Sequence, residues 1–253
     1  MDHKEAIALQ RRNLEGFVRM LASGADDSVL FERDGVLAAI VPACPGRSVI
    51  NSVVYRDAEA LGAAREELTR AYEDAGVRAW TVWVPEDEAD AAGLLEKAGH
   101  RLDAVPLAMT LDLAGLPEPE GDELDWDDRA AADDVARIND SAYGFETPQF
   151  GAALARLPGD LPLRFYQARA DGEPACVVGI LDQDEDSGVY LVATLKHRRG
   201  RGLARRLLHR ALTESRERGQ RTSTLQATKL GAPVYERLGY ETFGALEMWE
   251  RRE

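Results

Sequence analysis

The stretch Val189-Tyr-Leu-Val-Ala-Thr-Leu195, followed after three residues by Arg199-Gly-Arg-Gly-Leu-Ala-Arg205, decides how this chain is read. The first seven residues are β-branched, aromatic or apolar without a break, the pattern of a strand buried on both faces. Downstream, Leu203, Leu207, Leu208, Ala211 and Leu212 recur at helical spacing, and Gly219 supplies the stop. Gly200 and Gly202 therefore stand where a strand hands over to a helix. Backbone N–H groups at a helix start have no acceptor inside the helix, and glycine lets an anion approach them without a Cβ in the way. The segment reads as a phosphate cradle.

The surrounding residues narrow the anion. A dinucleotide fingerprint needs a small residue three positions after Gly202, where Arg205 stands, and no Walker sequence with a Lys-Ser/Thr ending occurs. Lys196, Arg198, Arg199, Arg201, Arg205, Arg206 and Arg210 form a basic cluster, but the 253-residue chain carries a net charge of -14. Such a chain repels nucleic acid and anionic membranes and draws cationic substrates, so the cluster suits a small anionic ligand, with no nucleic-acid or membrane partner expected. No apolar run approaches the roughly 20 residues of a membrane helix and the N-terminus reads as polar and amphipathic, so the expected location is the cytoplasm. Cys44 and Cys176 make no disulfide framework, and His197 and His209 lack zinc spacing, so no metal is expected. A G-x-S-x-G elbow is absent, which argues against a serine hydrolase.

Along the chain, Ile7, Leu14, Phe17, Val18 and Leu21 mark a first helix. Strands at Ser28–Arg33 and Val36–Val41 flank Asp34-Gly35, a hairpin dipeptide. A strand at Ser48–Tyr55 leads to a helix with Leu61, Ala64, Leu68 and Tyr72 that ends near Gly76. Val77–Val84, Ala91–Lys97 and Leu107–Leu113 read as strand, short helix and closing strand. The Pro-, Gly- and acid-rich residues 116–124 read as a linker between domains 1–115 and 125–253. The second half repeats the order: a helix from Asp127 to Ala142, another over Phe150–Leu157, and strands Leu163–Arg169 and Glu173–Leu181 around Asp171-Gly172. After the cradle come a strand at Thr222–Thr228, a short helix at Ala232–Leu238 and the last strands from Tyr240. Asp34-Gly35 returns as Asp171-Gly172, Gly76 as Gly219, and Lys97-Ala-Gly-His100 as Arg237-Leu-Gly-Tyr240, each about 140 residues on, which points to a duplicated unit.

Arg199-x-x-Gly202-x-Ala204 resembles the acyl-CoA signature of the GNAT superfamily of N-acyltransferases, Q/R-x-x-G-x-G/A, and Pro233-Val-Tyr-Glu-Arg-Leu-Gly-Tyr240 resembles that family's second signature. The resemblance covers some forty residues, in order and correctly separated. It implies an α/β fold, with two tandem domains that each have a central, mostly antiparallel mixed sheet flanked by helices. It also implies an enzyme that moves an acetyl group from acetyl-CoA to a primary amine of a small molecule by direct attack. Main-chain amides of Arg199, Gly200, Arg201, Gly202, Leu203 and Ala204 would hold the pyrophosphate, with Arg198 or Arg205 near the 3′-phosphate. Val192, Ala193 and Thr194 would pair with the pantetheine arm, one amide stabilising the thioester oxygen. Tyr235 would donate to the departing sulfur. Thr228 stands where the family often has asparagine and could still meet the pantetheine.

Tyr143, Glu146 and Tyr190 fall in the region that resembles the acceptor site; Glu185, Asp186, Tyr190 and Glu146 are the alternatives for a general base. A protein N-terminus or lysine as acceptor, a non-catalytic acyl-CoA sensor and a homodimer stay open. The repeat places Arg56-Asp-Ala-Glu-Ala-Leu61 where a cradle would be in the first half. Carboxylates at positions 57 and 59 repel a pyrophosphate, and Leu95 occupies the place of Tyr235, so the first copy reads as degenerate.

Overall fold

The computed structural model describes residues 3–119, 123–145 and 149–252. Two compact units form, neither contiguous in sequence. The cradle unit takes the chain up to Asn13, Leu107–Gly151 and Asp160–Phe243; the companion unit takes Leu14–Pro106, Ala152–Gly159 and the chain from Gly244 onward. None of these divisions falls inside 116–124.

In the companion unit, helix α1 (His3–Leu21) contributes its later turns. Strands β1 (Val29–Arg33) and β2 (Val36–Ile40) form the expected hairpin, with Gly35 at φ +77°. Strand β3 (Ser52–Tyr55) is shorter than the expected Ser48–Tyr55 because residues 44–51 wind through turns closed by one side chain. Asn51 donates to the Cys44 and Arg47 carbonyls at 3.0 and 3.1 Å and accepts the Val41 N–H at 2.7 Å. Helix α2 (Ala58–Asp74) carries the chain across to β4 (Ala79–Pro85), which runs parallel to β3. The Trp-Thr-Val-Trp-Val run of β4 is buried on both faces, as its composition demands.

Tyr72 of α2 stacks on Trp80 at 4.7 Å between ring centroids and donates to the Ala39 carbonyl at 2.9 Å. After α3 (Ala89–Lys97) comes β5 (Arg101–Ala104), a strand too short and exposed to show periodicity in the sequence. The C-terminal end of the chain closes this sheet: Leu246–Arg252 pair antiparallel with Ala79–Pro85. His100 is 2% exposed and meets Trp80 edge-on at 4.5 Å; neither ring nitrogen has a hydrogen-bond partner among the described residues, and burial lowers its pKa to about 4.

The cradle unit is built on β6 (Leu107–Asp112), β7 (Trp126–Asp127), β8 (Leu163–Ala170), β9 (Glu173–Gln183), β10 (Asp186–Thr194) and β11 (Thr222–Ala227). The sheet order is β6-β11-β10-β9-β8-β7, antiparallel throughout except for the parallel β10–β11 pair. Strand β6, expected to close the first half, pairs with β11 along its whole length, from Leu107 opposite Ala227 to Asp112 opposite Thr222. Helix α4 (Ala132–Tyr143) starts later than the expected Asp127 because Trp126 and Asp127 pair with β8 and the Asp127 carboxylate accepts the Arg129 N–H at 3.0 Å. Helix α5 (Phe150–Leu154) begins in this unit, and α6 (Leu203–Glu217) and α7 (Ala232–Glu236) follow. Leu203, Leu207, Leu208, Ala211 and Leu212 form the buried face of α6 and join the same hydrophobic cluster as Val178, Ile180 and Val189 of the sheet.

Candidate active site

Strand β10 pairs with β11 only from Asp186 opposite Thr222 to Val189 opposite Leu225. Beyond that point β10 keeps β9 on one edge and, among the described residues, has no strand on the other. The register against β9 slips there as well: Tyr190 faces Gly179 and Ala193 faces Val177, so β10 carries one extra residue. This bulge contains Leu191 at φ +56°, a left-handed conformation that costs a leucine about 1–2 kcal/mol. Val192, Ala193 and Thr194 thus lie along an opened backbone edge. The Thr194 hydroxyl donates to the Cys176 sulfur at 3.2 Å, and its carbonyl accepts from Arg199 Nε at 3.1 Å. Cys176 is buried, which pushes its thiol up to about 12.

The cradle follows that edge. A single 3-10 turn at Lys196–Arg198 leads through Arg199 to Gly200 (φ +77°), Arg201 and Gly202 (φ +71°), and Gly202 caps α6. A Cβ on Gly200 would meet nothing within 4 Å, and one on Gly202 only Arg206 Nε at 3.9 Å, so the backbone conformation requires glycine and the space in front is open. The first bond into the helix runs from the Arg206 N–H to the Gly202 carbonyl at 3.1 Å; the amides of Gly202, Leu203 and Ala204 have no acceptor within the helix.

Two of the arginines brace the loop. Arg199 reaches from the Thr194 carbonyl to the Ala142 carbonyl at the end of α4, 2.9 Å away, and Arg206 donates to the Arg201 carbonyl at 3.2 Å. Arg198, expected near a 3′-phosphate, is ion-paired with Asp171 in the β8–β9 turn.

Tyr235 on α7 is 8% exposed, its ring edge-on to Tyr240 at 5.9 Å. Burial raises the phenol pKa, with the neighbouring Tyr143 and Cys176 adding to the rise, and the hydroxyl has no hydrogen-bond partner among the described residues. Thr228, exposed at the end of β11, uses its hydroxyl to accept the Gly231 N–H at 3.1 Å, which closes the turn into α7. A Cβ on Gly231 would fall 3.1 Å from the Tyr235 ring, so the glycine admits the tyrosine.

The expected acceptor residues separate. Tyr143, at the end of α4, is 58% exposed, whereas Tyr190 is buried and its hydroxyl donates to Asn13 Oδ1 at 3.1 Å. Glu146 lies outside the described residues. Of the base alternatives, Glu185 is an exposed partner of Arg221 at 3.3 Å. Asp186 is 1% exposed and accepts from Thr222, Thr224 and Asn13 at 2.9, 2.6 and 2.9 Å; burial still raises its pKa. Asn13 had no signal in the sequence beyond its place on a helix, because its partners lie more than 160 residues away. His209 Nε2 sits 2.7 Å from the Pro117 carbonyl, a structural contact.

A mixed sheet whose bulged central strand parts from a parallel neighbour, with a glycine turn entering a helix beside the gap, is the fold of the GCN5-related N-acetyltransferases. Residues 185–243 match the family model described as acetyltransferase (GNAT) domain.

The chain is similar to the GCN5-related N-acetyltransferase from Kribbella flavida, at 18% identity, 97% of this chain, 95% of that chain and a TM-score of 0.71. It is also similar to the GCN5-related N-acetyltransferase from Sphaerobacter thermophilus (17%, 96% and 93%, TM-score 0.60) and to a tandem GNAT protein from the clavulanic acid biosynthesis pathway (15%, 95% and 87%, TM-score 0.57). No curated protein matches the chain. The matched domain supports acyltransferase activity. No described helix is long and apolar enough to cross a membrane, and no group of metal-ligating side chains occurs among the described residues.

Proposed function

We propose that the protein transfers an acetyl group from acetyl-CoA to a primary amine of a small molecule by direct attack. The observation that carries this reading is the open backbone edge of Leu191–Thr194 running into the glycine turn and unpaired amides at the start of α6. A pantetheine arm is an extended amide chain that can pair with such an edge, and its pyrophosphate suits amides at a helix start. The residues present fit that ligand, since both cradle glycines face open space. Acetyl-CoA supplies the acyl group activated as a thioester.

An amide at the bulge stabilises negative charge developing on the thioester oxygen. The amine nitrogen forms the new C–N bond as the C–S bond breaks, and Tyr235 donates a hydrogen bond to the leaving sulfur. Its raised pKa keeps the phenol protonated at neutral pH. The proton released by the amine equals the one the thiolate takes up, so the products are an N-acetyl amine and the CoA thiol.

The reading of a degenerate first copy draws support from the similarity to a tandem GNAT protein and from Asp57. That residue caps α2 by accepting the Ala60 N–H at 2.8 Å, so a carboxylate stands where the second copy has glycine.

The test is thiol release from acetyl-CoA against a panel of small amines and lysine peptides, with mass spectrometry of the product. An N-acetylated small amine supports the reading. Binding of CoA with no turnover on any acceptor would make the protein a sensor instead.

A further inference from the structure

The last carbonyls of a helix have no N–H left to accept within it, and α4 ends at Tyr143, with Gly144 turning the chain away at φ +78°. Arg199 meets one of those carbonyls: Nη2 donates to Ala142 O at 2.9 Å, while Nε of the same guanidinium donates to Thr194 O at 3.1 Å. One planar group therefore bridges the end of β10 and the end of α4, two elements that already pack together. Its positive charge also suits the negative end of the helix.

Both sides of the bridge have anchors of their own. On the strand side, the Thr194 hydroxyl bonds to Cys176 of β9 and the Leu195 N–H to the Ala175 carbonyl. On the helix side, the buried Asp140 accepts the Phe145 N–H on its carbonyl at 2.9 Å and the Gln149 and Phe150 N–H groups on its carboxylate at 3.1 and 3.3 Å. In the chain, Tyr143 lies between the anchored residues Ala142 and Phe145. Its phenol is close enough to act electrostatically on that of Tyr235, so an exposed ring stands near the buried hydroxyl.

We propose that Arg199 is a positioning residue for the transfer step: by bridging β10 to the end of α4 it keeps Tyr143 beside Tyr235 and so helps screen the Tyr235 hydroxyl from water. The inference rests on the acetyl-transfer reading and leaves its chemistry unchanged. Tyr235 still gives the hydrogen bond to the sulfur as the C–S bond breaks, and Arg199 acts only through the geometry around it. Lysine is no substitute, because one ammonium on a flexible stem does not span two carbonyls as a planar fork does.

The experiment measures kcat and KM with the small amine that the wild-type protein acetylates fastest, and acetyl-CoA affinity by calorimetry. It uses Arg199→Lys, Tyr143→Ala and the double variant of the full chain. Arg199→Lys should lower kcat by about tenfold with acetyl-CoA affinity within about threefold of wild type, because the cradle amides belong to the main chain. Tyr143→Ala should lower kcat by a similar factor. The double variant should fall no more than about threefold below the slower single variant, since both changes undo one arrangement. Arg199→Gln serves where the lysine variant does not fold. An unchanged kcat, an acetyl-CoA affinity that falls in step with kcat, or losses that multiply in the double variant overturn the proposal and leave the acetyl-transfer reading standing. A wild-type protein that acetylates no amine sinks both.

Discussion

Asp57 Oδ1 accepts the Ala60 N–H at 2.8 Å, whereas Gly202 opens α6 with no side-chain cap, and the amides of Gly202, Leu203 and Ala204 have no acceptor within the helix. The two helix starts differ in what satisfies them: one holds its own carboxylate, and the other is open to an anion from outside. Asp57→Ala should cost about 1 kcal/mol in urea unfolding through the lost cap. Calorimetry should still give one acetyl-CoA per chain. A second molecule bound in wild-type or variant protein would refute the division between the units.

Gly202 separates backbone strain from ligand exclusion. Gly202→Ala should lower stability by about 1 kcal/mol, because φ +71° suits glycine while the added methyl meets only Arg206 Nε. Gly202→Glu adds a carboxylate facing the amides and should weaken acetyl-CoA binding by about 100-fold or more while circular dichroism shows an intact fold. Affinity within about threefold of wild type would move the pyrophosphate elsewhere.

Tyr235→Phe keeps the buried ring and its contact with Tyr240 and removes only the hydroxyl. Acetyl-CoA affinity should hold, and kcat should fall by about 100-fold, the scale of a lost general-acid contact. Undiminished turnover would remove Tyr235 from the chemistry.

His100 gives the companion unit an acid limb. Its folded pKa of about 4 lies below the ordinary 6.5, so the folded state disfavours the charged ring. The contribution is therefore whole above about pH 6.5 and is lost as pH falls toward about 4, up to about 3 kcal/mol. His100→Phe, which preserves an aromatic edge against Trp80, should flatten urea-unfolding stability over that range; an unaltered acid slope would assign it to other groups.

What could be read from the sequence was local. The run from Val189 through the two glycines to the α6 stripe carries strand, turn and helix within thirty residues, and Asp34-Gly35 and Asp171-Gly172 mark both hairpins for the same reason. Partners chosen at long range left no such mark. Nothing in Leu107–Asp112 distinguishes pairing with β11 from pairing with its own half, since an apolar strand is equally satisfied by either neighbour. The bond from Gln10 Nε2 to the Leu225 carbonyl spans 215 residues, beyond the reach of any local pattern. Asp186 looked available for proton transfer until burial and its three side-chain donors became visible.

Cys44 and Cys176 are both fully buried and neither takes part in a disulfide. Burial shields both thiols from a thiol reagent, so equivalents counted in the early part of turnover should come from CoA. In the absence of substrate the same reagent becomes an unfolding clock: each thiol that reacts times an opening of the unit that hides it, with Cys44 reporting on one unit and Cys176 on the other.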